Sequence, residues 1–174
     1  AKDHWLFILA LSAIYLAGNW KQVLVLVTAF TIGHSITLAL SIFDVVRVNS
    51  GWVEFLIPCT IVATALFNFF QTDFKPRSLR HNYFLALFFG LIHGLGFANA
   101  IRFMMAKDES IGWSLFGFNI GLEAGQIVVV TAILLVSYLV VNKAGLNRKW
   151  WVWVLSLVAL TMAAKMIWER ISLI

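Results

Sequence analysis

The feature that most constrains this chain is how far apart its charges stand. No Asp, Glu, Lys or Arg interrupts residues 22–43, 55–72, 82–101 or 150–164, and Glu123 is the one such residue between Glu109 and Lys143. Each run is about as long as the hydrocarbon of a bilayer requires, roughly 20 residues. In hydrocarbon every backbone N–H and C=O must be bonded within the chain, which a helix does for itself. The runs are continuous rather than alternating, so strands are not expected. The reading is an all-α, polytopic membrane protein, with residues 1–174 forming a single transmembrane domain. Six transmembrane helices are drawn in one bundle, at about Trp5–Ala17, Lys21–Phe43, Gly51–Phe70, Asn82–Met105, Trp113–Val141 and Trp150–Ile171.

The composition agrees. Charged residues make up 12% of the chain and hydrophobic residues 61%, whereas a soluble domain carries roughly 25% charged residues. The net charge of +5 sits in short loops between spans and is not a nucleic-acid signal. Cys59 is the only cysteine, which excludes an intrachain disulfide, a multi-thiolate metal site and a CxxC redox pair. The eight tryptophans (5, 20, 52, 113, 150, 151, 153 and 168) fall at or near span ends, where their amphipathic rings favour the headgroup layer. Lys21, Lys75, Arg77, Arg80, Lys143, Arg148 and Lys149 follow spans one, three and five; Lys2, Arg47, Arg102, Lys107, Lys165 and Arg170 lie on the opposite side. The denser clusters mark the first side as inside, which puts both termini outside and fits a cleaved signal peptide before Ala1.

An ionisable residue within a span costs about 2.5–3.5 kcal/mol on insertion scales, so each one needs a reason. The candidates are His4, His34, Glu54, His93 and Glu123, with Asp3 beside His4 at the rim. On span two, Thr31, His34, Thr37 and Ser41 share one stripe. On span five, Asn119, Glu123 and Gln126 share a face, and Gly117, Gly121 and Gly125 run along the opposite one. Small residues let helices approach closely. Span five is therefore expected at the centre, packed tightly along its glycines, and the glycine-rich faces also offer surfaces for a homo-oligomer. His93 sits in "GLIHGLGFANA", with Gly90, Gly96 and Ala100 near its face. His34, His93 and Glu123 fall near mid-membrane, with His4 and Glu54 nearer the outer face. Imidazole and carboxylate ligands suit nickel, zinc, copper(II) or iron(II). The plainer readings are interhelical hydrogen bonding for the histidines and Glu123, and an interfacial place for Glu54. His81, in a basic loop, reads as solvated, and Asp44 beside Arg47 as a loop ion pair.

Five stretches together, "KDHWLFILAL", "TAFTIGHSITLAL", "VEFLIPCTIVATALFN", "FFGLIHGLGFA" and "FNIGLEAGQ", resemble the HupE/UreJ family of small bacterial membrane proteins. The resemblance runs from about Asp3 to Gln126. It implies a nickel or cobalt permease, linked to hydrogenase and urease maturation, in the bacterial inner (cytoplasmic) membrane, where the basic clusters put both termini on the periplasmic side. The family's first helix carries a histidine, five residues, then Asp-His. Asp3 and His4 match the pair, and the leading histidine would precede Ala1.

The expected metal ligands are His4, His34, His93, Glu123 and Asp3. Glu54, Thr31, Thr37, Asn119 and Gln126 are expected around them, as further ligands or as hydrogen-bond partners that fix the imidazoles. The cofactor or cargo is a divalent transition metal ion. Two functions use the same residues: a metal permease or uptake facilitator, and an intramembrane metalloenzyme or redox protein, which would hold one or two ions. A metal-free scaffold with the polar residues as glue is the third reading.

Overall fold

The computed structural model describes residues 2–71, 81–105 and 111–171. The expected basic cluster at Lys75, Arg77 and Arg80, and Lys107 on the other side, lie outside the described residues. The described chain is helical, with no strand among the described residues. Its helices are α1 (Lys2–Ser12), α2 (Trp20–Ile42), α3 (Ser50–Phe70), α4 (His81–Met105), α5 (Ile111–Ser137) and α6 (Arg148–Arg170). Local chemistry sets several of the ends. Asn49 Oδ1 accepts from the Gly51 N–H at 2.8 Å before α3, and Asn147 Oδ1 from the Lys149 N–H at 2.9 Å before α6, each an asparagine N-cap. Between α5 and α6 the chain passes through a π-helical turn, Tyr138–Lys143, and then Gly145 at φ +75°, a conformation glycine adopts without steric cost. Asp44 takes a positive φ of 65° in the loop after α2. There it pairs with Arg47, and the carboxylate raises the guanidinium above its ordinary range.

Among the described residues, five helices are long and apolar enough to cross a membrane. Their outward faces carry Ile32, Ile36 and Leu40 on α2, Phe84 and Phe88 on α4, Val128 and Leu135 on α5, and Val154 and Leu157 on α6. In water such faces would be an aggregation hazard; toward lipid they cost nothing. This is a multi-pass membrane protein. The first of the six expected spans, at α1, is not among these five, and α1 begins at Lys2. α1 has 11 residues, which at 1.5 Å per residue is about half of a hydrocarbon core of roughly 30 Å. It packs against α3, α5 and α6. Phe7, Ala10, Ile14 and Tyr15 along this segment are almost wholly buried.

The closest helix approach lies between α2 and α4, not along α5. A Cβ on Gly33 would stand 2.2 Å from the Leu87 carbonyl, one on Gly90 2.2 Å from that of Phe30, and one on Gly94 2.3 Å from that of His34. A Cβ on Gly117, Gly121 or Gly125 would meet nothing within 4 Å. Among the described residues, the tight packing expected along those three glycines is therefore absent.

The starts of α1 and α3 and the end of α6 share one end of the bundle, joined through Arg170 to Asp3 and to the Glu54 carbonyl. At the other end Arg148 donates to the Ile14 carbonyl, and Asn82 to the Tyr15 hydroxyl at 3.3 Å. Six of the tryptophans are more than half exposed, as the border reading expects, whereas Trp151 is buried in the core.

Candidate metal centre

His4 reaches the site from α1, His34 from α2 and His93 from α4. All three are buried, at 6%, 0% and 2% exposure. The His4 ring centroid lies 5.8 Å from that of His34 and 6.0 Å from that of His93. The glycines create this meeting. Because Gly90 and Gly94 let α4 touch the α2 backbone at Phe30 and His34, His93 and His34 are drawn toward the same interior. Phe7, Phe30, Phe97 and Phe118 wall the rings; Phe30 contacts all three, at 5.0 Å from His4, 6.2 Å from His34 and 5.2 Å from His93.

Each imidazole has different hydrogen-bond partners. The Thr60 hydroxyl donates to the Ile57 carbonyl at 2.7 Å and lies 3.1 Å from His93 Nε2. A hydroxyl has one proton to give, so here it accepts. That places the His93 proton on Nε2 and leaves the lone pair on Nδ1. Gln126 is fixed by the Thr31 hydroxyl, which donates to its carbonyl oxygen at 2.9 Å. Its amide nitrogen then faces His4 Nε2 at 2.5 Å. His4 Nδ1 has no partner, and neither nitrogen of His34 has one. A buried polar atom without a partner costs about 1–3 kcal/mol, and native structures rarely leave one unexplained.

These orphaned nitrogens are the structural test for a metal. Two imidazoles on one ion, at bonds of about 2.0–2.1 Å, have ring centroids roughly 5–6.5 Å apart. The His4–His34 and His4–His93 separations of 5.8 and 6.0 Å fall in that range. Those two pairs have the spacing of two imidazoles on one ion, whereas no ring contact joins His34 to His93 among the described residues. Their nitrogens are not already gathered: among the described residues no group of three His, Cys, Asp or Glu stands at ligating distance.

The other expected residues are placed as follows. Glu123 accepts from the Thr28 hydroxyl at 2.9 Å, and Asn119 from Ser35 at 2.8 Å. With Thr31–Gln126 these bonds join α2 to α5, so the polar face expected on α5 is present and serves helix pairing. Thr37 donates to the Leu91 carbonyl at 2.7 Å on α4. Of the residues expected to fix the imidazoles, Thr31, Thr37 and Asn119 are thus bonded elsewhere. Asp3 pairs with Arg170 at 2.7 Å, and the Glu54 backbone carbonyl accepts from the same arginine at 2.8 Å. His81 is exposed and lies against Phe67. Thr60 was missed, although Thr60, Thr64 and Asn68 recur every four residues along one buried face of α3.

A cavity of about 180 Å³ opens between α1 and α5, with His4, Trp5, Phe97, Gly121, Gly125 and Gln126 in its lining. Two of those three α5 glycines, Gly121 and Gly125, thus form a wall beside His4.

A multi-pass α-helical membrane protein with three interior imidazoles is the class these features define. Within it, the chain belongs to the HupE/UreJ family: the family model described as HupE / UreJ protein matches residues 1–170. Comparison with curated proteins and with solved structures returned no match.

Proposed function

We propose that the protein binds a divalent transition metal ion among His4, His34 and His93 and carries it across the membrane as a nickel-type permease. The observation that carries this reading is the cluster of imidazoles with unpartnered nitrogens deep in an apolar bundle. Interhelical glue accounts for Gln126, Asn119 and Glu123, which have partners on α2, but not for His34, which has none. The association of the family with nickel and cobalt transport supports the choice of cargo.

In this mechanism the cavity between α1 and α5 lets the ion approach His4 from the end where Asp3 lies. His4 gives up Gln126 or offers Nδ1, and His34 turns a free nitrogen to the ion. His93 offers Nδ1, because Thr60 holds its other nitrogen. Phenylalanine walls keep competing water out. The ion leaves toward the opposite end, driven by a membrane potential worth about 2.3 kcal/mol per charge per 100 mV. The site lies in a bacterial inner membrane with both termini outside.

Elemental analysis of the purified protein, before and after dialysis against chelator, is the direct test. Nickel or cobalt that loads and exchanges supports the permease. Tightly held metal, in a strain whose nickel uptake survives deletion of the protein, replaces it with an intramembrane metalloenzyme. Protein that takes up no metal at micromolar concentration leaves the histidines structural.

A further inference from the structure

Arg170, in the last turn of α6, belongs to none of the roles described so far. Its guanidinium is seated between two acceptors. Nη2 pairs with Asp3 Oδ2 at 2.7 Å, and both side chains are only 21% exposed. Nη1 donates to the Glu54 carbonyl at 2.8 Å. That carbonyl is free for a reason written in the sequence. In an α-helix the carbonyl of residue 54 would accept from the N–H of residue 58. Residue 58 is Pro58, inside α3, and proline has no N–H. Pro58 thus creates an acceptor near the start of α3, Arg170 fills it, and Asp3 is held on the guanidinium's other side.

Asp3 immediately precedes His4. Unpaired, its carboxylate would put a full negative charge next to the imidazole cluster. Paired with Arg170, it contributes none. We propose that Arg170 is a built-in counter-cation: it neutralises Asp3, so that the divalent ion is held by neutral imidazoles and released readily. Conduction requires binding favourable enough to admit an ion and weak enough to let it go. Arg170 is a positioning residue that acts through Asp3 and α1. The proposal rests on the metal-binding reading above.

The sign of one measurement separates this role from a plain structural tie. A tie, once cut, loosens α1 and weakens metal binding; a counter-cation, once removed, strengthens it. The full-length protein in detergent is loaded with cobalt(II), and its transfer to excess chelator is timed. Arg170→Gln is expected to release cobalt more slowly, on the order of tenfold, the size of effect one uncompensated charge has near a divalent ion. Asp3→Asn, which leaves the Arg170 cation uncompensated, is expected to release cobalt faster by a similar factor, whereas Arg170→Lys and the double variant Asp3→Asn with Arg170→Gln are expected to release at close to the wild-type rate. Faster release from Arg170→Gln, or a double variant that behaves like that single one, overturns the proposal. So does a double variant that releases as fast as Asp3→Asn alone, which would make Asp3 a ligand and keeps the test decisive if Arg170→Gln alone does not fold. A metal-free cycle of thermal stabilities over Asp3→Asn and Arg170→Gln reads the pair alone, and strictly additive effects also overturn it. Wild-type protein that takes up no cobalt would instead remove the metal-binding reading, and the counter-cation role with it, while the cycle still reports whether the pair exists.

Discussion

The three histidines differ in how firmly each is held. His93 has its Nε2 occupied by Thr60, His4 its Nε2 by Gln126, and His34 nothing at either nitrogen. Loss of a hydrogen bond that orients a ligating imidazole typically costs 10–100-fold in metal affinity. Thr60→Val should therefore weaken cobalt or nickel retention by about tenfold or more, with Thr60→Ser close to wild type, as measured by equilibrium dialysis. His34→Ala should abolish retention while the protein still inserts, and exposed His81→Ala should leave it unchanged. Full metal content in His34→Ala would make the cluster structural. Protons compete with metal for the same lone pairs. The ion needs neutral imidazoles, so retention should be complete at high pH and be lost as acid protonates them. Retention that does not change with pH would point away from histidine ligands.

At the scale of helices, the decisive contact is α2 against α4. Gly33, Gly90 and Gly94 have backbone atoms of the partner helix where a Cβ would go, and backbone cannot swing aside as a side chain can. Gly90→Ala should destabilise the fold by about 1–3 kcal/mol, the usual cost of overpacking, and Gly94→Ala likewise. Both should also displace His93 from His34 and lose metal. Gly121→Ala should leave the melting temperature unchanged, since nothing lies within 4 Å of its Cβ position. Thermal unfolding of the four proteins, wild type included, checks both halves. Equal losses at Gly90 and Gly121 would contradict the packing. Sequence spacing pointed to α5 because the glycine pattern there is regular. A small residue permits close approach without commanding it, and only the partner's position reveals which glycines are used.

For the molecule as a whole, Asp3 and Arg170 lie at one end of the bundle, with Arg148 and Asn82 at the other. Both described termini therefore face the same side. Cysteines introduced at Ser78 and at Ser110, in a Cys59→Ser background, should label from opposite faces with a membrane-impermeant thiol reagent, Ser110Cys from outside and Ser78Cys from inside. The reverse pattern would invert the protein in the membrane. Labelling of both from one face would break the alternation of helices.

The amino-acid sequence by itself determined the membrane class, because runs without charge can only be stable where water is absent. It also singled out His4, His34 and His93, since an imidazole in such a run needs a reason whatever the fold. Periodicity placed Thr31 with His34 and Gln126 with Glu123, because helix geometry is local. It did not say that Thr31 and Gln126 bond each other rather than a ligand, or that Glu123 turns to Thr28. Nor did it say that α1 is nearly enclosed. Those outcomes depend on which helix lies beside which, and at what depth. Only the tertiary structure brought Arg170 back across the chain to Asp3 and to the carbonyl that Pro58 left open. A sequence can supply the missing donor and the free acceptor, but their meeting is a matter of packing between segments more than a hundred residues apart.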